Sequence, residues 1–301
     1  MRIVSLLASG TEIVCALGAG EWLAGRSHEC DNPEWVRSLP QCSEPAFDVT
    51  GSSREIDREV SRRVRSGEPL YTIHHGRIAE LAPDIIIAQQ HCEVCAVTPN
   101  DLLPETRAQV VPVSASSLEE IFASIQQIAE ALSLPAEPLI QELRGRLERV
   151  RRKTASRRRP SVVMLEWTDP LFAMGNWGPE LIEIAGGDPL LGIKGQHSRA
   201  MPAEKLLEAD PEFLIVAPCG FPLERAEAER AVLEGLPWWN ELRCVREDKV
   251  AFADGNRCFN RSGITIARTA EILAEILHDE PAGTEAEGSG WRWYTDRRVR
   301  V

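Results

Sequence analysis

The sequence has no apolar window near the roughly 18 residues that a membrane-spanning helix needs, so insertion into a bilayer as a helix is excluded. It also lacks a basic excess: 34 Lys and Arg stand against 46 Asp and Glu, a net charge of -12. Without clustered cations there is no electrostatic footprint for nucleic acid. The one dense basic run, Arg149 to Arg159, is short and reads as the solvated end of a helix before a strand. No G-x-S-x-G, no H-E-x-x-H and no phosphate loop occurs, and carboxylates paired at acid–base spacing are not evident. These absences point away from an enzyme. The opening Met-Arg-Ile-Val-Ser-Leu-Leu breaks at Ser9-Gly10, which is short for a secretory leader. The expectation is a cytoplasmic protein, or a periplasmic one if the N-terminus has been trimmed. Eight cysteines in 301 residues are too few for a disulfide scaffold, and in a reducing compartment they are thiols or metal ligands.

What is present begins with two internal echoes. Glu80-Leu-Ala-Pro-Asp-Ile-Ile-Ile-Ala88 reappears as Glu208-Ala-Asp-Pro-Glu-Phe-Leu-Ile-Val216. In both, a helix ends, a Pro-acidic pair turns the chain, and an apolar strand of the fully buried, parallel kind follows. Glu12-Ile-Val-Cys-Ala-Leu-Gly18 is matched by Glu180-Leu-Ile-Glu-Ile-Ala-Gly186, each an amphipathic helix closed by glycine. The repeat distance is too long for a solenoid and reads as two lobes built from a similar unit.

Strands alternating with helices imply the α/β class, with a mainly parallel sheet flanked by helices in each lobe. The expected domains are an N-terminal lobe over 1–118, a helical linker over 119–159, a C-terminal lobe over 160–278 and a tail over 279–301. The linker stretch is broken near Ser133–Pro138, and Leu139, Leu143, Leu147 and Val150 recur at helical spacing in its second part. The tail is rich in Gly, Glu and Arg and is expected to lack order in part, with Trp291, Trp293 and Tyr294 available to dock on the body.

Ligands of open parallel sheets bind beyond the carboxyl ends of the strands. The loops expected there carry aromatics, histidines and thiols. In the first lobe the candidate ligand-binding residues are Ser9, Thr11, His28, Cys30, Tyr71, His74, His91 and Cys92. In the second they are Trp177, Phe221, Asp254, Phe259 and Arg261. This composition suits a large, flat, partly apolar ligand with a metal centre. Trp177 either stacks on a flat ring or packs in the core. Asp254 is placed to accept from a ligand amide and Arg261 to face a carboxylate or phosphate. Thr11 and Glu12 also fit the plain start of a helix, while Cys15, Cys244 and the Trp238-Trp239 pair read as packing. Cys92-x-x-Cys95, with His91 beside it, ligates a metal such as iron or zinc, forms a redox pair, or simply lines the rim. The alternative function is therefore a cytoplasmic metal- or Fe–S-binding redox protein or enzyme using Cys92, Cys95 and nearby histidines.

Several pieces together resemble the cobalamin and ferric-siderophore class of periplasmic binding proteins, across about residues 1 to 278. They are Arg2-Ile-Val-Ser-Leu-Leu-Ala-Ser-Gly-Thr-Glu-Ile13 through Gly18, Ser27-His28 to Pro33, Ile78 to Ile87, Glu180 to Gly187, and Asp210-Pro211 to Val216. The resemblance implies two lobes joined by a long rigid helix, and a corrinoid (cobalamin-like) or iron chelate held in the cleft between them. It implies binding, not catalysis, and an ABC permease as partner. The chain departs from the secreted members in carrying Cys92-Glu-Val-Cys95, which resembles a subgroup labelled cobalamin-binding. It also reads His74-His75-Gly76 where those proteins present an acidic residue for docking to the permease, which argues against delivery to a membrane transporter.

Overall fold

Ile85-Ile-Ile-Ala-Gln89 has no polar residue before its last position, and such a strand is stable only where both faces of its sheet are covered. In the computed structural model, which describes residues 1–90, 96–102, 107–279 and 290–295, every residue of this strand is buried. The chain divides into two units, one of Met1–Glu142 with Ser262–Ile264, the other of Leu143–Arg261 and the chain from Thr265 on.

The first unit contains β1 (Ile3–Ser5), α1 (Ala8–Ala16), β2 (Leu23–Arg26), β3 (Ser43–Pro45), α2 (Ser53–Ser66), β4 (Tyr71–Ile73), α3 (His75–Leu81), β5 (Ile85–Gln89), β6 (Gln109–Val113) and α4 (Leu118–Leu132). Four strands form an all-parallel sheet in the order β2-β1-β5-β6, and β3 pairs antiparallel with β4 outside it. Val4, Leu6, Ile78 and Ile86 pack in one core cluster. The helix α4, which opens the stretch expected as linker, packs on α1 and β6 and so belongs to this unit. After it, α5 (Glu137–Thr154) buries Ile140, Leu143, Leu147 and Val150, spaced three or four apart along one stripe.

The second unit contains β7 (Ser161–Thr168), β8 (Leu171–Ala173), α6 (Gly178–Ile184), β9 (Asp188–Pro189), β10 (Ala200–Met201), α7 (Glu204–Ala209), β11 (Phe213–Val216), α8 (Leu223–Ala228), α9 (Arg230–Glu234), α10 (Arg243–Arg246), β12 (Val250–Ala253), α11 (Ile266–His278) and β13 (Trp291–Trp293). Its sheet runs β10-β8-β7-β11-β12-β13, with β9 on β7. The centre, β7-β11-β12, is parallel, while β8, β10 and β13 are antiparallel additions. The sheet is therefore mixed in this half. β13 lies in the tail, where Trp291, Trp293 and Tyr294 do pack on the body. Val163, Leu165, Leu214, Val216, Trp239 and Phe252 are among the buried side chains of this core.

Both echoes recur as geometry. The helices α1 and α6 run into Gly18 and Gly186, whose φ values of +79° and +78° place them in the left-handed region that ends a helix. The helices α3 and α7 end on Ala82 and Asp210, also left-handed, each followed by a proline that cannot extend the helix. Among the described residues, no helix is long and apolar enough to cross a membrane.

Candidate ligand-binding site

In the first unit, α1, the loop after β2, and β4 with the turn into α3 carry Ser9, Thr11, His28, Cys30, Tyr71 and His74 of the sequence-predicted residues. Thr11 and Cys30 lie beneath the surface: the Thr11 hydroxyl donates to Cys30 Sγ at 2.9 Å, and Ser27 Oγ is 3.1 Å from the same sulfur. Burial pushes the Cys30 thiol above its ordinary value, against the Ser27 and Thr11 hydrogen bonds, so it is a poor thiolate donor. Ser9 is buried too, its hydroxyl 3.5 Å from that of Ser262, 253 residues further on.

His28 is the group nearest to ligand chemistry. Its Nδ1 is 3.3 Å from Ser43 Oγ on β3, and its ring lies 5.5 Å from that of Tyr71 on β4, tilted by 35°. Burial, reinforced by the Arg26 charge, lowers its pKa to about 4. The imidazole is therefore neutral at physiological pH, and a proton on Nδ1 directed to Ser43 leaves the lone pair on Nε2. A neutral imidazole and a phenol side by side are both metal-ligating groups for the iron or cobalt of a chelate. His74 stands at the start of α3, with Nε2 3.9 Å from Glu44 Oε2. Ser43 and Glu44 escape sequence reasoning because β3 is three residues long and carries no pattern.

In the second unit, Phe221 has Trp167 edge-on at 5.2 Å and the Arg225 guanidinium over its ring at 3.7 Å. Arg225 was not expected; its spacing four residues after Phe221 is the only signal that could have found it. Asp254 accepts from the N–H groups of Asn256 (2.9 Å) and Arg257 (2.7 Å), so its carboxylate organises the Asp254–Arg261 loop; burial raises its pKa against those bonds. Arg261, 5% exposed, donates to the Asn256 carbonyl at 2.8 Å and lies close enough to Asp254 to attract it. Asn256 N–H reaches the Phe221 carbonyl at 3.1 Å, tying this loop to the Phe221 loop. Gly255 is required there, because a Cβ would run into the Pro218 carbonyl.

Three of the candidate aromatics are placed inward. Phe259 has no exposed surface, Phe221 is 3% exposed and Trp177 is 5% exposed. Trp177 begins α6 behind Asn176, a left-handed residue whose N–H donates to Gln196 at 2.7 Å. The packing roles expected of Trp239 and Cys244 match their burial, while Cys15 is only half-buried. His91, Cys92 and Cys95 lie outside the described residues. Among the described residues, no three His, Cys, Asp or Glu side chains gather as a metal site.

Residues 3–256 match the periplasmic binding protein family. A vitamin B12-binding protein of Vibrio cholerae serotype O1 is 24% identical over 258 residues, 83% of this chain and 79% of that protein. An uncharacterized ABC transporter substrate-binding lipoprotein of Bacillus subtilis (strain 168) is 21% identical over 293 residues, 93% of this chain and 80% of that protein. Among solved structures, a periplasmic heme-binding protein from Pseudomonas aeruginosa matches at a TM-score of 0.73 and 20% identity, over 98% of both chains. The periplasmic vitamin B12-binding protein of Vibrio cholerae matches at 0.63 and 20% identity, over 92% of this chain and 96% of that one. At these identities the solved structures carry the fold.

Proposed function

The chain belongs to the periplasmic binding protein family, and from that premise we propose that it binds a metal-centred macrocycle, a corrinoid such as cobalamin or an iron chelate such as haem. The observation that carries this reading is the pair His28 and Tyr71. It sets a neutral imidazole 5.5 Å from a phenol ring, with His28 reaching Ser43 on β3 and Tyr71 standing on β4, the strand paired with β3. The relatives named for vitamin B12 and heme supply the ligand class, since both are flat metal chelates. Within the second unit, Trp167 and Arg225 cover the buried Phe221, and supply an aromatic ring and a cation of the kind that such a ligand's apolar and carboxylate or phosphate groups call for. Binding breaks no bond in the ligand. The redox alternative built on Cys92 and Cys95 draws no support from the relatives.

An ABC permease is the partner that the family membership suggests, and titrating a cognate permease with loaded protein would measure it. The compartment is a separate proposal. The exposed thiol of Cys219 favours a reducing one, and fractionation of the untagged native protein decides it; recovery from the periplasm or membrane would place the chain in transport.

Titration of the protein with hydroxocobalamin, dicyanocobinamide and haemin, followed by visible absorption, tests the ligand class. The expected result is saturable binding of at least one, with a shifted metal-centred band that His28→Ala or Tyr71→Phe moves back. Absence of binding to all three would overturn the reading.

A further inference from the structure

Residues 290–295 lie beyond the family match, which ends at residue 256, yet they are built into the second unit's sheet. β13 runs antiparallel to β12, setting Ala253 opposite Trp291 and Ala251 opposite Trp293. Backbone pairing continues past both ends of this ladder. Tyr294 N–H donates to the Val250 carbonyl at 2.8 Å, and Asp254 N–H donates to the Gly290 carbonyl at 2.8 Å. The second of these bonds reaches the first residue of the Asp254–Arg261 loop.

Three paired residues hold little stability by themselves, so the strand needs side-chain anchors. It has them on α8 and α9. The Arg230 guanidinium lies 4.5 Å from the Tyr294 ring, the Tyr294 hydroxyl donates to Glu234 at 2.6 Å, and Arg292 donates to Glu227 at 2.7 Å. The loop's other supports include Asn256 N–H on the Phe221 carbonyl, the Asn260 side-chain amide on the Ala217 carbonyl at 2.8 Å, and the Thr269 hydroxyl on the Cys258 carbonyl at 2.6 Å. β13 supplies a further support, from the outer edge of the sheet.

We propose that the C-terminal strand is a positioning element for the Asp254–Arg261 loop, fixing the Asp254 backbone and with it the course of the loop, so that ligand uptake through this loop depends on the strand. Without β13, the outward N–H and C=O groups of β12 and the Asp254 N–H turn to solvent, and the loop loses its tether at its first residue. The ligand half of this inference rests on the binding role proposed above; the structural half does not.

Two variants test it: the chain ended after Asp279, and Tyr294→Ala in the full chain, which removes the anchor but keeps the strand. Hydrogen exchange is read at the amides of Asp254–Arg261, with Ile85–Gln89 in the first unit as the internal control. In both variants the loop amides should exchange at least about ten-fold faster while the control amides stay unchanged. A synthetic peptide of residues 288–301, added in excess to the shortened chain, should restore the loop's protection. Unchanged loop amides, or acceleration spread evenly over both units, would overturn the proposal. If the shortened chain does not fold, Tyr294→Ala carries the decision. Haemin and hydroxocobalamin titrations then read the ligand half: affinity for whichever probe the full chain binds should fall about ten-fold in Tyr294→Ala. Equal affinity beside faster exchange would remove the ligand half. If the full chain binds neither probe, the proposed function has failed, and the exchange result alone still decides the positioning role.

Discussion

His28 and Glu212 are the two side chains whose surroundings shift their protonation most consequentially. Burial and Arg26 hold the His28 pKa down to about 4, below the roughly 6.5 of a free imidazole. As pH falls the unfolded chain takes up this proton first, so the stability His28 contributes is complete above about 6.5 and is lost as pH falls through about 4. An NMR titration of its ring should show a midpoint near 4, and His28→Gln should flatten that part of the stability curve. Glu212 is nearly fully buried and faces Arg158 at 2.6 Å, Lys249 at 3.0 Å and Arg243 at 3.3 Å. Glu212→Gln removes the anion shared by three partly exposed cations and should destabilise by roughly 1 kcal/mol in denaturant titration. Around the candidate site, loop positions were legible where local chemistry marks a loop, as at Asp254 after β12 and His28 after β2. Depth was not. Thr11 and Cys30 are hidden because the first turn of α1 packs inward on the loop after β2, and Ser9 meets Ser262 only through the tertiary fold.

At the scale of elements, long apolar strands and capped helices were legible because their signals are local. β5 and β11 stand where their apolar runs put them, and α2 begins at a capping box in which Ser52 and Glu55 each bond the other's backbone. Ser52→Ala should therefore lower stability by about 1 kcal/mol, read from the thermal midpoint, without changing ligand titrations. The strands β8, β10 and β13 were not legible as antiparallel additions. Two or three residues are too short to show the alternation that marks a strand, and their pairing is set by the neighbouring edge. The break within the helical stretch was visible, but the docking of α4 on α1 and β6 depends on the matching of two surfaces. The Gly255 turn at the end of β12 is a further element-level test. Gly255→Ala must push the loop off the Pro218 carbonyl and should cost about 2–4 kcal/mol, with faster exchange at Asp254–Arg261. Unchanged stability in that variant would mean that the loop has room the backbone contact denies.

Taken whole, the molecule carries a net charge of -12, and among the described residues each unit has a core cluster of its own, so acid should not undo it evenly. In the first unit, the His28 contribution is already lost as pH falls from about 6.5 to about 4. In the second, the Arg158 bond leads in holding the Glu212 pKa down to about 2, so its contribution is complete above about 4.5 and is lost only as pH falls from there to about 2. Asp254 in the same unit acts in the opposite sense. Burial raises its pKa, so the folded state protonates first and gains relative stability as pH falls through the carboxylate range. All three effects order the units the same way. Between about pH 6 and 4 the amides of Ile3–Ser5 and Ile85–Gln89 should lose exchange protection before those of Val162–Leu165 and Phe213–Val216. His28→Gln should narrow the gap by removing the early loss in the first unit. Glu212→Gln should narrow it from the other side, by lowering the second unit at neutral pH. Simultaneous loss of protection in both units, unaffected by either substitution, would show that acid acts on the molecule through its overall charge and not through these buried groups.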